Sequence, residues 1–375
     1  DGTGEQATEP GEAHERAVGG RTRDAEDEGH VRYEAVAHAE DARACRAPLH
    51  VAVGVDLFMV VVVVAVLGHG PSLPPPEPTA CHDRPMVTGR LAPSPTGTLH
   101  LGNLRTFLVA WLSARSSGGR VLLRFEDLDT TAGRHHEDDQ RHDLERLGLT
   151  WDSPPVRQSE RRELYEDALA DLDRAGRTYR CWCSRREIRE ATTAPHGPPG
   201  AYPGTCRELT AREIAEREAG ERPAAIRLRT DAPSITVTDR LHGDHTEVVD
   251  DLVLRRGDGT PAYHLACVVD DHDQGVDEVV RADDLLPSTP RHAHLVDVLG
   301  WDRPAWMHVP LVLGPDGDRL AKRHGSVTLA DRVARGESPQ DVLGALAASL
   351  GLLPRARPAT PRELLGRFDP SALPT

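Results

Sequence analysis

Apolar residues at Leu104, Leu108, Ala110 and Trp111 fall on one face at helical spacing, which predicts a helix running on from Asn103. Just upstream, residues 90–92 read as the end of a short strand, and the Pro/Ser/Gly cluster at 93–97 reads as a turn. The predicted order is therefore strand, loop, helix. Further on, residues 210–220 form an Arg/Glu-rich helical piece, 225–229 and 235–238 are strand-like, and 341–350 is a short helix. No internal repeat is evident. The first 85 residues are different in kind. They are rich in Asp, Glu, Ala and Gly to about position 47, run apolar from 51 to 67 apart from Asp56, and end in prolines at 74–76. That run is near the minimum length for a bilayer span. The expectation is an over-extended leader, with the native start at Met86; a membrane tether or a disordered appendage are the alternatives.

Composition changes the picture in one place. The chain has 375 residues and a net charge of −15, of which residues 1–85, with 15 Asp/Glu and 7 Arg, account for −8. Total charge is thus a weak argument against a nucleic-acid partner. Among 45 basic residues, lysine occurs once, at Lys322 in Arg319-Leu320-Ala321-Lys322-Arg323. A compact ammonium on a flexible stem can follow a moving phosphate where a planar guanidinium cannot. The loop before the predicted helix, with Gly102 and flanked by His100 and Asn103, feeds a helix N-terminus, whose amides and dipole favour an anion. Cys181, Cys183 and Cys206 lie within 26 residues of one another, with Tyr202 or His196 as a fourth candidate ligand for a tetrahedral metal. Six cysteines in a chain of this length are no secreted disulfide framework.

Pro93-Ser94-Pro95-Thr96-Gly97-Thr98-Leu99-His100-Leu101-Gly102-Asn103 resembles the His-Ile-Gly-His signature of class I aminoacyl-tRNA synthetases, and Arg319-Leu320-Ala321-Lys322-Arg323 their Lys-Met-Ser-Lys-Ser loop. The stretches 123–129, 262–271 and 279–286 are similar to the glutamyl branch, so the resemblance spans 88 to about 330. It departs from the pattern at Arg319, Ala321 and Asn103. The implied fold is α/β: a Rossmann-like parallel-sheet catalytic domain at 86–176 and 245–300, a zinc-bearing insertion at 177–244, and the Lys322 loop with short helices at 301–375. The implied activity is attack of a glutamate carboxylate on the α-phosphate of ATP. By resemblance, His100, Gly102, Asn103 and Lys322 meet ATP and its Mg²⁺. Arg90, Leu91, Ala92, Pro93, Ser94, Glu126, Tyr263 and Arg281 form the glutamate site; Arg90 and Arg281 are carboxylate clamps and Glu126 the ammonium partner.

The Cys-x-Cys and Tyr-x-x-x-Cys spacing resembles the zinc motif of the glutamyl-queuosine tRNA(Asp) synthetases, which favours Cys181, Cys183, Tyr202 and Cys206 as ligands of one Zn²⁺. Only 49 residues follow Ser326, too few for the anticodon-binding region of a full glutamyl-tRNA synthetase. The resemblance thus implies transfer of glutamate to the anticodon loop of tRNA(Asp), in a cytoplasmic monomer without a stable protein partner. Arg185, Arg186, Arg189 and Arg207 are candidate phosphate contacts, and Trp182 is a candidate stacking surface. A truncated glutamyl-tRNA synthetase, a tRNA-independent adenylate-forming enzyme and a non-catalytic RNA-binding paralogue are the competing readings.

Overall fold

The computed structural model describes residues 86–129, 133–192, 202–232, 234–311 and 327–374. β1 (Thr88–Leu91) leads through α1 (Leu101–Ser116) to β2 (Arg120–Phe125), which pairs in parallel with β1 and, on its other side, with β3 (Val156–Arg157). α2 (Arg134–Arg146) precedes β3, and α3 (Arg162–Arg174) follows it. α1 begins at Leu101, two residues before the predicted start, because His100 and Asn103 cap it reciprocally. Leu104, Leu108 and Leu112 are fully buried, and Gly89 lets α1 lie close to β1, since a Cβ there would sit 3.3 Å from Ala114 Cβ.

The later half repeats the unit in the opposite direction. α6 (Tyr263–Asp273) enters β9 (Glu278–Ala282), and α7 (Thr289–Leu299) carries the chain to β10 (Ala305–Val309), parallel to β9. β1 borders β9: Asp277 N–H donates to Thr88 O at 3.0 Å. The chain leaves β1 toward β2 and leaves β9 toward β10, so the carboxyl ends of β1 and β9 flank the point where strand order reverses. Open α/β sheets form their ligand crevice there.

The small strands are shared out differently from expectation. β4 (Thr178–Cys181), β5 (Ala225–Leu228) and β8 (Val253–Arg255) form a separate antiparallel sheet. β6 (Ser234–Asp239), expected to close the insertion, instead lies parallel to β10 and forms a hairpin with β7 (Gly243–Val248). The expected boundary at 244/245 therefore falls inside β7, and β8 completes the sheet on the other side of it. Burial explains the exchange: Val237 packs with Leu122, Val279 and Trp306. Alternation alone does not say which sheet a strand joins. α4 (Arg185–Thr192) and α5 (Ala211–Glu218) complete the insertion, and α8 (Leu329–Ala334), α9 (Pro339–Ser349) and α10 (Pro361–Leu365) pack the C-terminal segment onto α1. Among the described residues no helix is long and apolar enough to cross a membrane; the run at 51–67 lies outside them.

Candidate active site

A cavity of about 510 Å³ opens at the ends of β1 and β9. Arg90, Ala92, Pro93, Ser94, His100, Gly102, Asn103, Glu126, Tyr263 and Arg281 all line it. Leu91 does not; it is 0% exposed in the core, with its neighbours in the strand alternating toward the cavity. Lys322 lies outside the described residues. Of the described residues that flank its segment, Leu311 lines the cavity, and Val327 O accepts from Leu101 N–H at 3.0 Å at the start of α1.

At the start of α1, His100 Nδ1 accepts from Asn103 N–H at 3.2 Å, while Asn103 Oδ1 accepts from His100 N–H at 3.1 Å. An accepting Nδ1 puts the hydrogen of a neutral imidazole on Nε2, making that nitrogen a donor. The Leu101 and Asn103 amides are thus engaged, and among the described residues Gly102 N–H is the first-turn amide without a partner. A Cβ on Gly102 would lie 3.0 Å from His100 Cε1 and Nδ1. The glycine makes room for the imidazole.

The charged groups are held by partners far away in sequence. Arg90, 6% exposed, donates from Nε to Asp271 at 3.2 Å and from Nη1 to Val280 O at 3.0 Å. Asp271 also accepts from Arg124 Nη1 at 2.8 Å, and Arg124 Nη2 donates to Glu126 Oε1 at 3.2 Å. Glu126 Oε1 also accepts from Cys267 Sγ at 3.3 Å, which leaves Oε2 without a partner among the described residues. Burial alone would raise the Asp271 carboxyl pKa, but Arg124 and Arg90 hold it below the ordinary range.

Arg281 is more fully committed. Nε donates to His308 Nε2 at 3.0 Å, Nη1 to Tyr263 OH at 3.3 Å and Nη2 to Thr289 Oγ1 at 2.8 Å, with Leu285 O at 3.4 Å from Nη2. Of five guanidinium hydrogens, one on Nη1 remains. The bidentate clamp expected of Arg281 thus becomes a mixed pair, one guanidinium N–H beside the Tyr263 hydroxyl. Arg90 keeps the end-on face of its fork.

Arg124, Asp271, Thr289 and His308 were not predicted. Arg124 and Asp271 stand inside stretches that carried the family resemblance, and a fully buried arginine in a strand is itself a signal, but only burial reveals it. Gln140 of α2 was also missed; its Nε2 donates to Ser94 O at 2.9 Å and Gly97 O at 2.6 Å, fixing the loop before α1.

The second cluster lies on the insertion. The sulfurs of Cys181, Cys183 and Cys206 lie within 4.8 Å of one another. Cys183 and Cys206 sulfurs are 3.6 Å apart, and Tyr202 OH is 3.4 Å from Cys181 Sγ and 3.9 Å from Cys183 Sγ. Zinc bonds of about 2.3 Å to sulfur and about 2.0 Å to oxygen give tetrahedral edges of about 3.5–3.8 Å. Three of the six edges, at 3.4, 3.6 and 3.9 Å, lie near those values, and the sulfurs all stand within 4.8 Å of one another. Arg227 stacks 3.6 Å above the Tyr202 ring centroid. Burial tends to raise the Cys181 thiol, but bonds to Tyr202 and Arg227 bring it below its ordinary value. Burial first, and Cys181 second, push Cys183 up to about 12. His196, the other candidate ligand, lies outside the described residues.

One expected RNA contact is not available. Trp182 is 4% exposed among Ile188, Leu209 and Ala224, so its ring cannot stack on a base. Arg207 donates to Asp251 at 2.9 Å and to Thr230 O at 2.7 Å. Arg185, Arg186 and Arg189 are exposed.

Residues 86–357 match the catalytic-domain model of the class I tRNA synthetases (E and Q), and the chain belongs to that family. It is similar to the glutamyl-Q tRNA(Asp) synthetase of Nocardia farcinica, at 60% identity over 76% of this chain and 90% of the relative. The protein of the same description from Symbiobacterium thermophilum is 47% identical over 77% of this chain and 94% of that one. A crystal structure of a glutamate tRNA ligase from Elizabethkingia meningosepticum, in complex with its amino acid, superposes with a TM-score of 0.67 at 29% identity. That match covers 77% of this chain but only 66% of the ligase.

Proposed function

We propose that the chain activates L-glutamate with ATP to glutamyl-adenylate and transfers the glutamyl group to queuosine at the wobble position of tRNA(Asp). The supporting observation is one cavity in which Arg90, Arg281 and Tyr263, donors for carboxylates, stand with Glu126, an acceptor for an ammonium, and with His100 and Gly102 at a helix N-terminus. A dicarboxylic amino acid and a polyphosphate call for that mixture of signs in fixed places. Arg90 takes one glutamate carboxylate on its fork, and Arg281 with Tyr263 OH takes the other. The α-ammonium meets Glu126 Oε2. Attack on the α-phosphorus gathers negative charge on phosphoryl oxygens, so fixed donors matter more than an acid or base. Gly102 N–H and His100 Nε2–H are such donors, and Lys322 supplies the mobile charge. Mg²⁺ accompanies the triphosphate, held by phosphate oxygens and water.

Cys181, Cys183, Tyr202 and Cys206 would hold one Zn²⁺, which would fix the insertion structurally. The insertion would meet the anticodon loop, with Arg185, Arg186 and Arg189 on phosphates.

Glutamate-dependent ATP–pyrophosphate exchange without tRNA tests activation, and Lys322→Ala is expected to abolish it; a fully active variant overturns that role. Acylation of tRNA(Asp) with and without queuosine tests the acceptor. Charging only the queuosine-containing tRNA is expected, and charging that persists without it points to a terminal ribose instead.

A further inference from the structure

Arg281 reaches the cavity already bound from behind. His308 Nε2 lies 3.0 Å from Arg281 Nε, and His308 Nδ1 lies 2.6 Å from Asp239 Oδ2; the His308 and Asp239 side chains are both 0% exposed. Asp239 Oδ1 accepts the Leu241 and His242 amides, each at 3.0 Å, which fixes the carboxylate at the end of β6. An ionised carboxylate only accepts, so Nδ1 must carry the imidazole hydrogen; a guanidinium only donates, so Nε2 must carry the lone pair. Both neighbours demand the same tautomer of neutral His308. Thr289 Oγ1 closes the arrangement, 3.0 Å from His308 Nε2 and 2.8 Å from Arg281 Nη2.

We propose that Asp239 and His308 are a positioning pair for Arg281: the carboxylate selects the His308 tautomer, and the Nε2 lone pair turns the guanidinium so that its remaining Nη1 hydrogen faces the glutamate carboxylate. This rests on the reading of Arg281 as a glutamate contact. Neither residue touches substrate. Their effect is on glutamate affinity, with no part in holding ATP. A side chain that ends on an oxygen at the Nε2 position serves Arg281 even without Asp239. One that fills only the Nδ1 position satisfies Asp239 and releases Arg281.

Two variants separate these demands. In His308→Asn the amide falls near Nδ1, beside Asp239; in His308→Gln its oxygen reaches the place of Nε2, beside Arg281. ATP–pyrophosphate exchange by the full chain is measured against glutamate and against ATP. For His308→Asn the glutamate KM is expected to rise about tenfold, the effect of one lost hydrogen bond to a charged group, with the ATP KM unchanged. His308→Gln is expected to recover most of the loss. A purely structural role predicts the reverse order, because Asn is the variant that keeps the buried carboxylate bonded; that order, or equal change in both KM values, overturns the proposal. Should either variant fail to fold, Thr289→Val removes the nearest of the Nη2 acceptors, and the hydroxyl beside His308 Nε2, at constant shape and is expected to raise the glutamate KM alone; an unchanged KM overturns the proposal equally. Absence of glutamate-dependent exchange in the unmodified chain instead removes the functional reading on which all of this stands.

Discussion

The cavity between β1 and β9 takes its bonds from residues as much as 190 positions apart, as in Arg90 to Val280 O, while the thiol cluster gathers its atoms from residues 181–206. In the cavity each charge has a neighbour: Arg90 on Asp271, Arg124 on Asp271 and Glu126, Arg281 on His308. In the cluster four soft or phenolic atoms face one another, with Arg227 stacked on the Tyr202 ring. One region is preorganised by the folded protein. The other would be organised by the zinc we propose for it, since thiolates brought this close repel until a cation sits among them.

Loss of the ion is thus the largest effect to expect. About one zinc per chain should be measured by elemental analysis, and Cys181→Ser should lose it; binding of a structural zinc is worth on the order of 10 kcal/mol in isolated finger peptides. The insertion sheet β4-β5-β8 should lose hydrogen-exchange protection with it. A metal-free native protein contradicts this. A fall in glutamate affinity as large as the loss of protection would merge the two regions into one, through Asp250, which accepts from Tyr202 N–H at 2.8 Å and from Arg291 at 2.7 Å.

Next comes the buried charge network. Asp271→Ala leaves Arg90 and the fully buried Arg124 without their shared carboxylate, and removing one partner of a buried pair costs about 3–5 kcal/mol. Chemical denaturation should show it, together with a raised glutamate KM; Asp271→Asn, which keeps an acceptor oxygen, should lose less. If the alanine variant is as stable as the original, the network is not what fixes Arg90.

The difference between the two regions also governs what could be read in the sequence. Cys181, Cys183, Tyr202 and Cys206 are visible as spacing because their geometry is local. His100, Gly102 and Asn103 are visible for the same reason, and even the reciprocal cap is written in three residues. Asp271 was in view but its partner was not: nothing in the sequence around 270 says that the carboxylate will lie between Arg90 and Arg124. The same holds for Asp239, at the end of a strand whose alternating pattern fitted the insertion as well as the main sheet. Trp182 was misread because proximity to a surface motif does not give exposure. Burial is a property of the fold, and each of these errors is an error of burial.

Acid should strain the cavity side first. Burial, reinforced by Arg291 and Arg281, brings the His264 imidazole down to about 4, and its Nδ1 lies 2.9 Å from His292 Nε2. The unfolded chain takes up that proton near the ordinary pKa of about 6.5, and the folded chain only near 4. Stability from this group is therefore complete above about 6.5 and falls as pH drops toward 4, by on the order of 3 kcal/mol in all. The midpoint of denaturation measured across this window should fall less steeply in His264→Asn. Equal slopes for the two proteins would remove His264 from the account.

The smallest effect on stability is expected at Gly102, and it divides the cap from the chemistry. The added methyl of Gly102→Ala would meet the His100 ring at 3.0 Å, so the ring must shift by a few tenths of an ångström and its bond to Asn103 N–H must loosen. A weakened N-cap costs about 1 kcal/mol, but replacing glycine by alanine within a helix recovers up to about the same amount. The thermal midpoint should therefore hardly move. The imidazole Nε2 moves with the ring, however, and a donor displaced from a developing phosphoryl charge costs more than a cap, about a hundredfold in exchange rate where such donors have been removed outright. A displacement rather than a removal should give about tenfold. Exchange that falls with stability intact assigns His100 to the reaction as well as to the helix; exchange that survives leaves it as a cap alone, and the donors we propose are then reduced to Gly102 N–H and Lys322.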